Sequence, residues 1–153
     1  MQKEQSIDHV LRATWQAVAK MYNEQAVKYD STMAMAFVLL NIDTVNGTPS
    51  TALGPQMGME PTSLSRILKS MEEKGAIYRE KNPDDGRGVL IKLTPFGKEK
   101  RAISKEHVIQ FNNVVKEHLS NEQLNHFFEV TETINHLINN KLIYHKTPTN
   151  KKS

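Results

Sequence analysis

A chain of 153 residues with 38% hydrophobic content can bury one ordinary core, and its length argues for a single domain. It contains no cysteine, which excludes disulfides, thiolate nucleophiles, Cys-ligated zinc and thiol-based oxidant sensing. The net charge of +3 is uneven: residues 1–60 hold 4 Lys or Arg against 6 Asp or Glu, residues 61–105 hold 11 against 6, and residues 106–153 hold 5 of each, so the positive excess falls on one segment, as expected of a footprint for a polyanion.

At the N-terminus, MQKEQS lacks the charged-then-apolar order of a signal peptide. The longest apolar run, Met33 to Leu40, is about half of a bilayer span, and together these features predict a cytoplasmic protein with no membrane partner. Ile7, Val10, Leu11, Trp15, Val18, Met21 and Tyr22 recur at three- and four-residue steps and predict an amphipathic helix ending near Asp30-Ser31-Thr32. Those residues suit the N-cap of a second helix, MAMAFVLLNID, whose apolar residues run all the way round and so predict burial in the middle of the domain. VNGTPS reads as a turn. STALGPQMGM, from Ser50 to Met59, reads as a short, imperfect helix, because Gly54, Pro55 and Gly58 all weaken one.

Pro61 then opens PTSLSRILKSMEEK, a helix that stops at Gly75. Its buried stripe is Leu64, Ile67, Leu68 and Met71, and its other face carries Thr62, Ser63, Arg66, Lys69 and Ser70, all hydrogen-bond donors, with no carboxylate before Glu73. AIYREK and VLIKLT are short and rich in β-branched or aromatic residues, so they predict a β-hairpin whose tip holds Asp84, Asp85, Gly86, Arg87 and Gly88. Thr94-Pro95 starts another helix, with Ile103, His107, Phe111, Val114 and His118 on one face. After a turn at Ser120-Asn121, the residues Leu124, Phe127, Phe128, Thr131, Ile134, Leu137 and Ile138 mark a last long helix, and a polar tail follows from Thr147.

Helix, short helix, turn, polar-faced helix and basic hairpin form the order of a winged helix-turn-helix. The predicted fold is therefore mainly α with a small β-hairpin wing, flanked by long terminal helices. A major groove admits one helix, so Thr62, Ser63 and Arg66 are placed to reach base edges, with Ser65, Lys69, Ser70 and Lys81 as further duplex contacts. A slender loop bearing one arginine suits the narrow minor groove, which assigns Arg87 there. Asp85, two residues before it, is placed to accept a hydrogen bond from its guanidinium and so orient it.

TSLSRILKSMEEKGAIYREKNPDDGRGVLIKLTPFGKE, and within it Asp85-Gly86-Arg87 followed by Leu93-Thr94 and Gly97, resembles the recognition helix and wing of the MarR (multiple antibiotic resistance regulator) family. The flanking helices are similar too, so the likeness covers nearly the whole chain. Gly54 and Pro55 depart from the good helix formers usual in the family, and Lys69 stands where an acidic residue is expected. The resemblance implies an obligate homodimer with its terminal helices in the interface. It implies binding of a pseudo-palindromic duplex operator, as a repressor released by a small-molecule effector. On that plan residues 1–146 form one domain, with the winged helix at about 31–97 and dimerisation helices at about 6–29 and 98–146, and residues 147–153 form a disordered tail.

Other signals are weaker. Trp15, Tyr22, Met33, Met35 and Phe37 are candidates for lining an effector pocket, although their helical spacing suits plain core better. His107 and His118 lie eleven residues apart, about 16 Å along a helix, too far to share an ion, so neither a metal nor any other cofactor is expected. GPQMGM lacks the Lys-Ser or Lys-Thr of a phosphate-binding loop, and nothing couples Ser, His and Asp into a nucleophile motif, which argues against an enzyme. The rival reading is a winged-helix module that has lost DNA binding and meets an acidic protein. A single-strand or RNA binder ranks third, with only Tyr78 and Phe96 available for stacking in the basic segment.

Overall fold

The computed structural model describes residues 5–144, and the tail expected at 147–153 lies outside them. Two compact units divide between Val108 and Ile109. The first holds α1 (Ile7–Val27), α2 (Met33–Asn41), β1 (Thr48–Pro49), α3 (Ser50–Met57), α4 (Pro61–Glu73), β2 (Ile77–Lys81), β3 (Val89–Leu93) and the beginning of α5 (Pro95–Glu117). The second holds the rest of α5 and all of α6 (Asn121–Asn139). No described helix is long and apolar enough to cross a membrane.

In the first unit the apolar stripes converge on one core. Val38, Leu39 and Ile42 from the α2 segment meet Leu53 of α3, Leu64, Leu68 and Met71 of α4, and Ile77, Ile91 and Leu93 of the hairpin. Each such side chain stabilises the fold by about 1.5–3 kcal/mol through removal from water, so the two helices before the wing are held mainly by their inner faces. Ile67, expected in the buried stripe, packs against this core only partly buried. Within α2 only Val38 and Leu39 are buried, so the all-round burial expected for that helix does not occur; Met33, Ala36 and Phe37 face a cavity instead. Its N-terminus is capped as expected, with Thr32 Oγ1 accepting the Met35 N–H at 3.2 Å.

One strand was not foreseen. Thr48–Pro49, inside the stretch read as a turn, pairs antiparallel with β3 in the register Thr48↔Ile91 and Pro49↔Leu90, so the sheet has three strands in the order β1-β3-β2. Thr48 is buried, and its hydroxyl accepts the Asp43 N–H at 2.9 Å, which fastens the end of α2 to the sheet. A proline is tolerated here because β1 is an edge strand.

Punctuation residues position the rest. Pro61 opens α4 at its first turn, and Gly75, at φ 75°, reverses the chain into β2. Thr94 then ties three elements together. Its Oγ1 donates to the Gly75 carbonyl and accepts the Gly97 N–H at 3.0 Å, while its N–H donates to the Ala76 carbonyl at 3.1 Å. The start of α5 thus presses on the chain leaving α4, so closely that a Cβ on Gly97 would overlap the Ala76 carbonyl oxygen.

In the second unit α6 begins with a reciprocal cap: Ser120 Oγ accepts the Gln123 N–H at 3.1 Å, and Gln123 Oε1 accepts the Ser120 N–H at 2.9 Å. No α6 residue is buried, and Phe127 and Phe128 lie more than half exposed with their rings edge-to-face.

Candidate nucleic-acid interface

The amphipathic pattern of α4 turns Leu64, Leu68 and Met71 inward and leaves Thr62, Ser63, Ser65, Arg66 and Lys69 exposed. Ser70 is half-buried beside them. Across the turn at Gly75, the hairpin carries Lys81 at the end of β2 and Arg87 in the loop, both exposed. The structure thus presents all eight side chains proposed for the duplex on two adjoining elements, α4 and the wing.

Charge is what sequence reading left unsorted. Arg79 Nε meets Glu72 Oε2 at 2.7 Å, pinning β2 to α4, and Lys92 Nζ meets Glu80 Oε2 at 2.9 Å across the hairpin. The hydrogen bond that the Lys92 ammonium donates to the Glu80 carboxylate pushes its pKa above the ordinary lysine value. Lys74 faces Asp30 at 3.6 Å. Those three cations are thereby partly neutralised. Among the described residues Arg66, Lys69, Lys81 and Arg87 have no ion-pair or hydrogen-bond partner for their charged groups, so they remain free to meet phosphates or base edges.

The wing loop is held by its own backbone and two short acceptor side chains. Asn82 Oδ1 accepts the Asp84 N–H at 3.0 Å, Asp85 Oδ1 accepts the Arg87 N–H at 3.0 Å, and the Gly88 N–H reaches the Asp85 carbonyl at 2.9 Å. The contact expected between Asp85 and the Arg87 guanidinium is therefore replaced by one to the Arg87 backbone. An aspartate reaches an N–H two residues on at little entropic expense, whereas the long arginine side chain stays in water.

Of the five residues named for an effector pocket, Tyr22, Met33 and Phe37 line one cavity between α1, α2 and the start of α5, where the rings of Tyr22 and Phe37 meet edge-on with their centres 5.8 Å apart. Burial pushes the Tyr22 phenol up. Trp15, 52% exposed, is not part of that lining, and Met35 belongs to a neighbouring cavity. Lys100, Ser104 and His107 complete the cavity from α5 and were missed, because nothing in their spacing ties them to α1 and α2. Among the described residues no group of three or more His, Asp or Glu could hold a metal ion.

A polar-faced helix following a short helix, with a basic three-stranded wing beside it, defines a winged helix-turn-helix of the DNA-binding class. The MarR family model matches residues 32–89. The regulator SarZ of Staphylococcus saprophyticus is 30% identical over 104 residues, which cover 65% of this chain and 71% of that one. Among solved structures, the S. aureus MepR–DNA complex superposes with a TM-score of 0.78 at 17% identity, covering 86% of this chain and 98% of that one. CouR from Rhodococcus jostii RHA1, bound to p-coumaroyl-CoA, gives a TM-score of 0.77 at 21% identity over 88% and 94%. The chain belongs to the MarR family of winged-helix regulators and is a DNA-binding regulator of transcription, not an enzyme.

Proposed function

We propose that the protein acts in the cytoplasm as a homodimeric repressor of transcription, binding a pseudo-palindromic duplex and released from it by a small molecule. Each subunit inserts α4 into a major groove, where Thr62, Ser63 and Arg66 read base edges while Ser65, Lys69, Ser70 and Lys81 add donors to the contact. Arg87 enters the neighbouring minor groove. The observation that carries this reading is the set of four cations on α4 and the wing that stay free of carboxylates while Lys74, Arg79 and Lys92 are paired. In MepR the same fold is seen with DNA, and in CouR with an acyl-CoA ligand.

Dimerisation through the terminal helices is supported by apolar surface with no cover in the monomer: Ile7 and Trp15 on α1, and Phe127, Phe128 and Ile138 on α6, all more than half exposed. The effector is assigned to the cavity lined by Tyr22, Met33 and Phe37. Its free space is only about 40 Å³, so an occupant larger than a water or two must part the helices that line it. That parting is the step through which a ligand would alter the winged helix.

Fluorescence anisotropy tests the reading. Purified protein is titrated against duplexes tiling its own upstream region, over a salt series, with random duplex as control. Tight binding to one tile, falling steeply with salt yet staying above the control, is expected. Equal weak binding to all duplexes, with one acidic protein recovered stoichiometrically in a pull-down, would instead support the interaction-module reading.

A further inference from the structure

Thr62, Arg66, Lys69 and Glu73 follow one another along α4 at steps of four, three and four residues, which stacks them in one strip of the helix. All four are exposed, on the side away from the buried Leu64, Leu68 and Met71. Two cations thus stand in the middle of the outermost strip, and a carboxylate closes its C-terminal end.

Lys69 has two carboxylates within one turn, and neither takes it. Glu72, three residues on, is held by Arg79 of β2, whose Nε donates to its Oε2 at 2.7 Å. Glu73, four residues on, forms no ion pair among the described residues, and a lysine placed N-terminal to its glutamate is the weaker order for such a pair. The ammonium of Lys69 therefore keeps all three donors for an outside acceptor.

A helix lying in a major groove turns its outermost strip to the floor, where the base edges are, and its flanks to the phosphate walls. A long cation on that floor finds its best acceptors on guanine, whose O6 and N7 both accept, whereas adenine sets an N6 donor beside its N7. Three residues of helix separate Arg66 from Lys69 by about 4.5 Å along the axis, against about 3.4 Å between base pairs, so the two fall on neighbouring steps. We propose that Lys69 is a base-reading residue and that each half-site carries two neighbouring G·C pairs, one guanine bound by Arg66 and the next by Lys69. This rests on the duplex reading above and goes beyond it by naming a base pattern. Position 69 is where the family resemblance places an acid, so the second guanine is expected of this chain rather than of its relatives.

Full-length protein is used to select duplexes from a randomised pool, and the bound fraction is sequenced beside that of Lys69→Gln. Lys69 is exposed and unpaired among the described residues, so the substitution leaves the fold intact. Wild type is expected to enrich a repeated half-site with two neighbouring G·C pairs, and replacing either pair by A·T should weaken binding about fivefold or more. Glutamine donates and accepts as adenine requires, so Lys69→Gln should turn one of the two steps from guanine to adenine and leave the step of Arg66 unchanged. A lysine that met only phosphate would instead give the same motif in the variant, with weaker binding and a salt slope lower by about one. That result, or a wild-type motif without neighbouring G·C pairs, would overturn the proposal while the duplex reading stood. A pool in which no motif is enriched would overturn the duplex reading and this proposal with it.

Discussion

Asp85 holds Arg87 by its backbone: Oδ1 of the aspartate accepts the arginine N–H at 3.0 Å, and the guanidinium itself is left without a partner among the described residues. The wing is thus shaped before any duplex arrives, while the cation it carries stays mobile in water. That arrangement separates two effects that a side-chain ion pair would merge, the set of the loop and the set of the charge.

Asparagine at position 85 keeps an acceptor oxygen where the carboxylate stands and removes its charge. Asp85→Asn should therefore retain duplex affinity to within about twofold, whereas Asp85→Ala should weaken it by about threefold to tenfold, the worth of one net hydrogen bond of about 0.5–1.5 kcal/mol. Anisotropy titrations of the two variants decide it. Were the guanidinium the true partner of Asp85, Asn would behave like Ala.

Arg66 and Arg87 are assigned to different kinds of contact and should fail differently. Arg66→Ala should cost about 1–3 kcal/mol at the preferred site and relax discrimination at one base position. Arg87→Ala should weaken all duplexes more evenly and lower the salt slope by about one. Competition against single-base variants of the site, repeated over a salt series, reads both quantities. If both variants bound the site as wild type does, the assigned footprint would be wrong.

Gly97 sits where α5 presses on the chain leaving α4. Gly97→Ala should lower folding stability by at least about 1–3 kcal/mol, because the new methyl meets a backbone carbonyl rather than a side chain that can move aside. Gly86→Ala in the wing is the control: the nearest atom to its added Cβ is the Lys81 Cε at 3.9 Å, so stability should hold within about 0.5 kcal/mol. Urea denaturation monitored by far-UV circular dichroism compares the two. A Gly97 variant as stable as its control would show that the Ala76 segment can give way.

Much of this architecture is written in local pattern. Pro61 and Gly75 bracket α4, apolar residues at helical spacing choose its inner face, and the Asp-Asp-Gly-Arg-Gly tip between two β-branched runs announces the wing. What escaped depends on pairings between distant residues. β1 is two residues long, below any periodicity, and exists only because β3 offers it an edge. Arg79 and Glu72 lie seven apart, yet they meet because the turn at Gly75 folds β2 back on α4, and that meeting takes Arg79 out of the set of unpaired cations on this face. Trp15 and Tyr22 share one helical stripe, but only Tyr22 lies far enough along α1 to join the cavity with Phe37.

The turn after α2 carries a pH dependence whose sign can be worked out. Asp43 Oδ1 accepts the N–H groups of Asn46 and Val45, each at 2.8 Å, and these bonds hold its carboxyl below the usual carboxylate range. A folded-state pKa below the unfolded value means that the unfolded chain binds the proton first. The stabilisation is therefore complete above the unfolded value of about 3.9 and is lost as pH falls through the folded one. Asp43→Asn keeps an acceptor at the same place without the titration. Its urea midpoint should decline less steeply than that of wild type below about pH 4, while the two should run parallel near neutrality. Identical acid limbs in the two proteins would mean that the Asp43 turn is already open before its carboxylate protonates.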